Sequence, residues 1–185
     1  MQHFENKIFK SIKMNIGIII GRIGGVDGVA LETEKWIEVF KRLGHNVFIV
    51  SGEFQNWDIN PEKDTLVPEM SFFNQSCMWD QENAFFEPDE PTIELLYHID
   101  NYSNIIYRQL EKWLHKNKID VVLSENASAL PAHLSMGLAI KKLAEENILV
   151  SHYDMRFVQP LDEEVLHLVF RNYKAVVTVE DGMLK

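Results

Sequence analysis

An apolar run beginning at Ile16 ends in Gly21-Arg22-Ile23-Gly24-Gly25-Val26-Asp27-Gly28, and a helix-patterned segment follows at once. Glycines between a strand and a helix bring backbone close to something, and the usual partner is a phosphate or a sugar. Small residues let successive amide N–H groups, at the positive end of a helix, face a ligand oxygen without side chains intervening. Gly24, Gly25, Asp27 and Gly28 are therefore candidate substrate-binding positions. No G-x-G-x-x-G can be read in order, and the Lys-Ser/Thr of a P-loop is lacking, so neither nucleotide fingerprint applies. Glycines that serve only a tight turn are the plain alternative.

Three further positions could do chemistry. His152 follows a predicted strand, where a neutral imidazole can accept a proton or hydrogen-bond a sugar hydroxyl; it is the candidate catalytic residue. Glu125 and Asn126, also just past a strand, offer an acceptor and a donor for hydroxyls, or else cap the next helix. His152-Tyr153-Asp154 is too thin for a metal site, because adjacent residues in extended chain point to opposite sides. No Ser-His-Asp grouping or nucleophilic cysteine stands out, and no cofactor is implied.

These residues need a scaffold, and the sequence outlines one. Ile16-Gly17-Ile18-Ile19-Ile20 reads as a strand buried on both faces of a parallel sheet. From Val29 the pattern turns helical, with Trp36, Ile37, Phe40 and Leu43 on the expected inner face and Gly44 as the stop. Val47 to Val50 is the next strand, completing a β-α-β unit with Ser51-Gly52-Glu53 at its end. Between Phe54 and Pro91 periodicity fails, and Trp57, Phe72, Phe73, Trp79, Phe85 and Phe86 suggest a satellite core under a long insertion. Helix returns after Pro91-Thr92, with Ile105, Ile106, Leu110, Trp113 and Leu114 inward and an interruption expected near Asn101 to Asn104. Ile119 to Leu123 is a strand, Ser124-Glu125-Asn126 its loop, and 131–146 a helix. Ile148 to Val150, the helix Glu163 to Asn172 and the strand Ala175 to Val179 follow. About five strands alternating with helices give an α/β domain.

Composition narrows the partners. The 185 residues are 46% hydrophobic and 25% charged, suited to one domain with a real core. A net charge of −10 without a basic patch argues against nucleic acid. The single cysteine, Cys77, excludes an internal disulfide and fits a reducing, cytoplasmic setting. Residues 1–13 form an N-terminal extension with Lys7, Lys10 and Lys13 around Phe4, Ile8, Phe9 and Ile12; it lacks the features of a signal peptide, and packing on the domain is expected ahead of membrane contact.

Ile23-Gly24-Gly25-Val26-Asp27-Gly28-Val29, with Leu31-Glu32, Lys35-Trp36, Arg42-Leu43-Gly44-His45 and Ser51-Gly52-Glu53, resembles the N-terminal half of retaining glycosyltransferases built from two Rossmann-like domains, the GT-B type. Leu66-Val67-Pro68-Glu69, Ser124-Glu125-Asn126-Ala127 through Pro131, and Gly137-Leu138-Ala139 are similar to later motifs of the same branch. The resemblance covers 14–140. It implies a glycine loop near the donor diphosphate and sugar, an N-terminal domain that mainly holds the acceptor, and a histidine, here His152, near the transferred sugar. The branch commonly continues His-Asp-Phe and then Trp-Glu-Arg; this chain departs from it with His152-Tyr153-Asp154-Met155-Arg156-Phe157.

The tail, 141–185, resembles a different family. His152 through Glu164 and Val177-Thr178-Val179-Glu180-Asp181-Gly182 look like the C-terminal domain of 1-deoxy-D-xylulose-5-phosphate synthase. That family binds thiamine diphosphate with its earlier domains, so the tail implies no cofactor site of its own. Two unrelated doubly wound pieces joined across a strand suggest a chimera, natural or engineered. The expectation is one domain over 1–185: an α/β, Rossmann-like open sheet, mainly parallel, with helices on both faces. Its implied partners are a nucleotide sugar and a sugar acceptor, and it is not expected to turn over without a nucleotide-sugar domain. A non-catalytic scaffold and a thiamine-dependent synthase fragment are the alternatives.

Overall fold

In the computed structural model, residues 13–86, 92–127 and 132–145 are described. Strand β1 (Asn15–Ile20) leads through the glycine loop into helix α1 (Gly28–Arg42), and β2 (Asn46–Ser51) returns beside β1. A short strand β3 (Asp64–Leu66), a 3-10 turn (Pro68–Met70), helix α2 (Gln75–Gln81) and a π-helical turn (Glu82–Phe86) follow. Helix α3 (Ile93–Asn117), strand β4 (Val121–Glu125) and helix α4 (Leu134–Glu145) complete the described part. The sheet order is β3-β2-β1-β4, and every pairing is parallel. The α/β sheet expected from the sequence is borne out.

Strand alternation explains why both faces are covered. Successive side chains point to opposite sides of a strand, and the apolar clusters divide accordingly. Ile18, Ile20, Val47 and Ile49 join Ile23 and Ile37 under α1, with Val29, Phe40 and Leu123 against them. Ile19 and Val50 join Ile106, Leu110, Trp113, Met136, Ala139 and Ile140 under α3 and α4, with Phe48 and Val122 alongside. Gly17 belongs to this second layer: a Cβ there would lie 2.6 Å from the Trp113 ring, so only glycine lets that indole reach the sheet.

The structure corrects several expectations. Leu43 is 57% exposed; α1 turns inward through Ala30, Thr33 and Ile37, a tighter stripe than the one read from its largest residues. Ile105 is likewise exposed, while Ile106 and Leu110 are buried. Helix α3 runs unbroken through Asn101 to Asn104: Ser103 donates back to the Asp100 carbonyl, and Lys142 of α4 donates to Asp100, Ser103 and Asn104 at 2.8 Å each. Those polar residues anchor a partner helix instead of interrupting their own.

The stretch from Phe54 is also more regular than expected. It contains β3 and α2, and its aromatics do not form one satellite core. Trp57 packs under α1, Phe72 packs on the opposite layer, and Phe73, Phe85 and Phe86 are exposed. Ser124 and Glu125 belong to β4, not to the loop after it. The expected strands at 148–150 and 175–179 and the helix 163–172 lie outside the described residues.

Candidate functional site

The parallel register brings Leu66, Ser51, Ile20 and Glu125 to one level across the carboxyl ends of all four strands. In an open parallel sheet this edge is where ligands bind. The glycine loop rises directly from Ile20. It does not stand free: Ile23 N–H donates to the Glu53 carbonyl at 3.0 Å, and Gln55 N–H donates to the Ile23 carbonyl at 2.8 Å. The loops after β1 and β2 are thereby stitched together.

Close neighbours explain two of the glycines. Gly24 has φ +78°, and a Cβ there would stand 1.7 Å from the Gln55 carbonyl oxygen, so both conformation and space require glycine. At Gly21 the Phe72 ring lies where a Cβ would be, at 2.4 Å. Gly25 is buried, with Asp27 Oδ2, Gln55 Oε1 and Arg22 Nε all within 3.6 Å of its would-be Cβ. Gly28 differs from the other three. It is exposed, nothing lies within 4 Å of its would-be Cβ, and it is the first residue of α1. Open space in front of a helix N-terminus is where an anionic or hydroxyl oxygen can approach the amides.

Asp27 caps α1. Its Oδ1 accepts from Ala30 N–H at 3.0 Å, and its Oδ2 accepts from Arg22 Nη2 at 2.7 Å. The Ala30 amide, aided by Arg22 and opposed by partial burial, holds the carboxyl below its usual range. Arg22 lies with its guanidinium 5.9 Å from the centre of the exposed Phe73 ring, and its buried Nε has no hydrogen-bond partner. Arg22 is a residue that sequence reasoning missed. An arginine inside a glycine loop, five residues ahead of an N-cap aspartate, is the signal that points to it.

Glu125 ends β4 beside Ile20, half-buried. Burial, reinforced by Glu32 of α1, pushes its carboxyl above the usual range. Asn126 follows with φ +51°, turning the chain sharply off the strand. Glu125 and the start of the glycine loop thus lie at neighbouring strand ends. Ser51 is buried and its hydroxyl donates to the Glu53 carbonyl at 2.8 Å, which makes it a turn-former. His152 lies outside the described residues, as do the loops 151–154 and 180–182. Among the described residues no group of three or more His, Cys, Asp or Glu side chains is placed to hold a metal ion.

A second polar cluster, equally hidden in the sequence, lies between α2, α3 and α4. His133 is buried; Met136 N–H donates to its Nδ1 at 3.2 Å, so the proton sits on Nε2 and is donated to the Glu69 carbonyl at 2.9 Å. Desolvation holds this imidazole below its usual pKa, against the opposing pull of that carbonyl. Rings run in sequence from the glycine loop: Phe72 to His133 at 6.5 Å, His133 to Tyr102 at 6.3 Å, Tyr102 to His98 at 6.0 Å, and His98 to Trp79 at 4.6 Å. Scattered over 62 sequence positions, these residues have no shared motif to reveal them.

Comparison with known proteins matches the two parts to different families. The family model of the transketolase C-terminal domain matches residues 135–185. The 1-deoxy-D-xylulose-5-phosphate synthase of Cytophaga hutchinsonii is 60% identical over 42 residues, 23% of this chain and 7% of that protein. The same enzyme of Bacteroides fragilis is 52% identical over 42 residues, 23% of this chain and 6% of that protein. The mannosylglucosylglycerate synthase of Thermotoga maritima is 29% identical over 150 residues, 76% of this chain and 32% of that protein. The chain therefore spans less than a tenth of the synthases matched by its tail and about a third of the glycosyltransferase matched by most of its length. No solved structure matches significantly. The two resemblances read from the sequence are both borne out: a glycosyltransferase-like body and a transketolase C-terminal-like tail.

Proposed function

We propose that the described residues form the acceptor-side half of a GT-B type glycosyltransferase, with a nucleotide sugar as donor and a sugar as acceptor. The observation that carries this reading is the open space before Gly28 at the N-terminus of α1, one strand away from Glu125 at the same sheet edge. Similarity to a mannosylglucosylglycerate synthase over most of the chain supports sugar transfer over other uses of such an edge.

The roles follow from the chemistry. Amides at Gly28 and the end of α1 receive a donor or acceptor oxygen, and Gly24, Gly25 and Asp27 shape the loop that presents them. Glu125, with its pKa raised, and Asn126 hydrogen-bond acceptor hydroxyls. His152 enters from the family resemblance as the residue near the reacting carbon. Catalysis of transfer needs a closed, water-excluding cleft, and the described residues supply one wall of it. A cytoplasmic setting is part of the same reading.

Titration with nucleotide sugars, followed by backbone amide shifts, tests it. The expected result is perturbation centred on Gly24 to Gly28 and Glu125. Absence of any shift there at millimolar ligand sinks the proposal and leaves a scaffold without ligand.

The tail supports a second reading for its own segment. Its 60% identity over 42 residues to a 1-deoxy-D-xylulose-5-phosphate synthase, and the transketolase C-terminal match over 135–185, support reading this segment as transketolase-type. Binding of thiamine diphosphate to the intact chain would favour a thiamine-dependent role; none is expected.

A further inference from the structure

The Asp80 carboxylate is fully buried, and both of its oxygens are occupied: Oδ1 faces His98 Nδ1 at 2.6 Å, and Oδ2 accepts from Ser135 Oγ at 2.7 Å. Three helices meet in this arrangement, since Asp80 lies on α2, His98 on α3 and Ser135 on α4. A carboxylate can only accept, so Nδ1 of His98 carries the proton and donates it. That fixes the ring. Its Nε2 points away from Asp80, has no hydrogen-bond partner among the described residues, and is not sealed from solvent. The side chain is 35% exposed, with Trp79 tilted at 55° on one side and Tyr102 stacked at 12° on another.

A part-exposed imidazole fixed by a buried carboxylate and flanked by aromatic rings can offer Nε2 to a ligand hydroxyl. We infer that His98, Trp79 and Tyr102 form a binding subsite for a neutral polyhydroxylated ring, separate from the glycine loop, with His98 Nε2 as the atom that hydrogen-bonds a ligand hydroxyl. The charge of the pair excludes an anion as the preferred ligand. Asp80 and His98 together carry no net positive charge whether the imidazole is protonated or not. A phosphate or carboxylate would therefore meet no excess of cation to offset its desolvation. A sugar, which brings hydroxyls for Nε2 and a C–H face for the indole, fits. The inference rests on the sugar-transfer reading for ligand class and extends it: a line of ring contacts runs from Phe72, against Gly21 of the glycine loop, to Trp79 in this subsite.

The test uses the full chain, with imidazole and indole groups labelled for nuclear magnetic resonance. Maltose and methyl α-glucopyranoside are the probes, and inorganic phosphate is the anionic control. The sugars are expected to shift the His98 and Trp79 signals and phosphate to leave them in place. His98→Phe is expected to weaken sugar binding at least tenfold. His98→Asn, whose amide nitrogen stands where Nδ1 stood and can still donate to Asp80, is expected to weaken it similarly while melting cooperatively. No binding of either sugar, sugar binding that leaves His98 and Trp79 unmoved, equal affinity in a folded His98→Asn protein, or displacement of sugar by phosphate overturns the inference. Its fate is separable from that of the transfer reading. Nucleotide-sugar shifts at Gly24 to Gly28 with a silent His98 defeat the subsite alone, whereas a responsive His98 with a silent loop defeats the transfer reading.

Discussion

Gly24 and Gly28 lie four residues apart, yet the structure asks different things of them. At Gly24 a methyl group would collide with the Gln55 carbonyl in a left-handed conformation. Gly24→Ala is therefore expected to destabilise the protein by about 2 kcal/mol or more, since neither backbone can move without breaking the stitch between loops. Gly28→Ala meets no neighbour and improves helix propensity, so it should raise stability by up to about 1 kcal/mol. The same substitution occupies the space proposed for ligand, and nucleotide-sugar shifts should weaken. Thermal melts and titration of both variants check the pair of outcomes.

Glu125 gives a prediction with a definite sign. Its folded pKa is raised, so the folded state holds a proton that the unfolded chain has already released as pH rises past the ordinary 4.5. Stability from this group is present below that value and lost as pH climbs through the raised one. Glu125→Gln should accordingly melt higher than the parent at pH 7, with the advantage vanishing below pH 4.5. A melting difference independent of pH would mean that Glu32 and burial do not set the carboxyl's state.

Among the elements, α4 depends on His133 at its start. The imidazole's depressed pKa reverses the direction: the unfolded chain takes up a proton below the ordinary 6.5 while the buried ring resists. Stability is full above 6.5 and lost as pH falls through the folded value. His133→Gln is expected to be less stable than the parent at pH 7, and to lose less on going to pH 5. Melting curves at the two values decide it.

The elements also show what could be read in advance. Ile16 to Ile20 and Val47 to Val50 were legible because parallel strands buried on both faces leave continuous apolar runs. Strand β3 was not, because Asp64-Thr65-Leu66 is short and half-polar, as suits its place at the sheet margin. Asn101 to Asn104 resembled a break because asparagines and serine compete with helical hydrogen bonds in isolation. Lys142, 38 to 42 residues downstream, removes that competition by supplying a partner from another helix. Of the site, the glycine loop and Glu125 were visible from local pattern. Asp80, His98 and His133 were not, since only tertiary contact brings them together.

For the whole molecule, the sheet as described ends at β4, whose residues are partly or well exposed; Val121 is 45% exposed, whereas β1 is almost wholly buried. Parallel strands normally have both faces and both neighbours covered. We propose that cooperative folding of the body requires residues 158–185. Deleting 158–185 should then abolish cooperative thermal unfolding; a truncated protein that melts as sharply as the parent would show that the body folds without it. No helix among the described residues is long and apolar enough to cross a membrane.

Both similarities overlap on helix α4. The transketolase-type match begins at Ser135, and the glycosyltransferase similarity, at 76% of the chain, is too long to end before that residue. Yet Ser135 donates to Asp80, Met136, Ala139, Ile140 and Leu143 fill the core, and Lys142 holds α3. Any splice through this helix is constrained on one side only. The face toward α3 must keep those six residues, while Lys141, Ala144 and Glu145 are exposed and tolerate exchange. The segment where the two similarities overlap is thus tied to α2, α3 and the sheet by one face of α4, and a sequence change at the join that spares this face leaves those contacts intact.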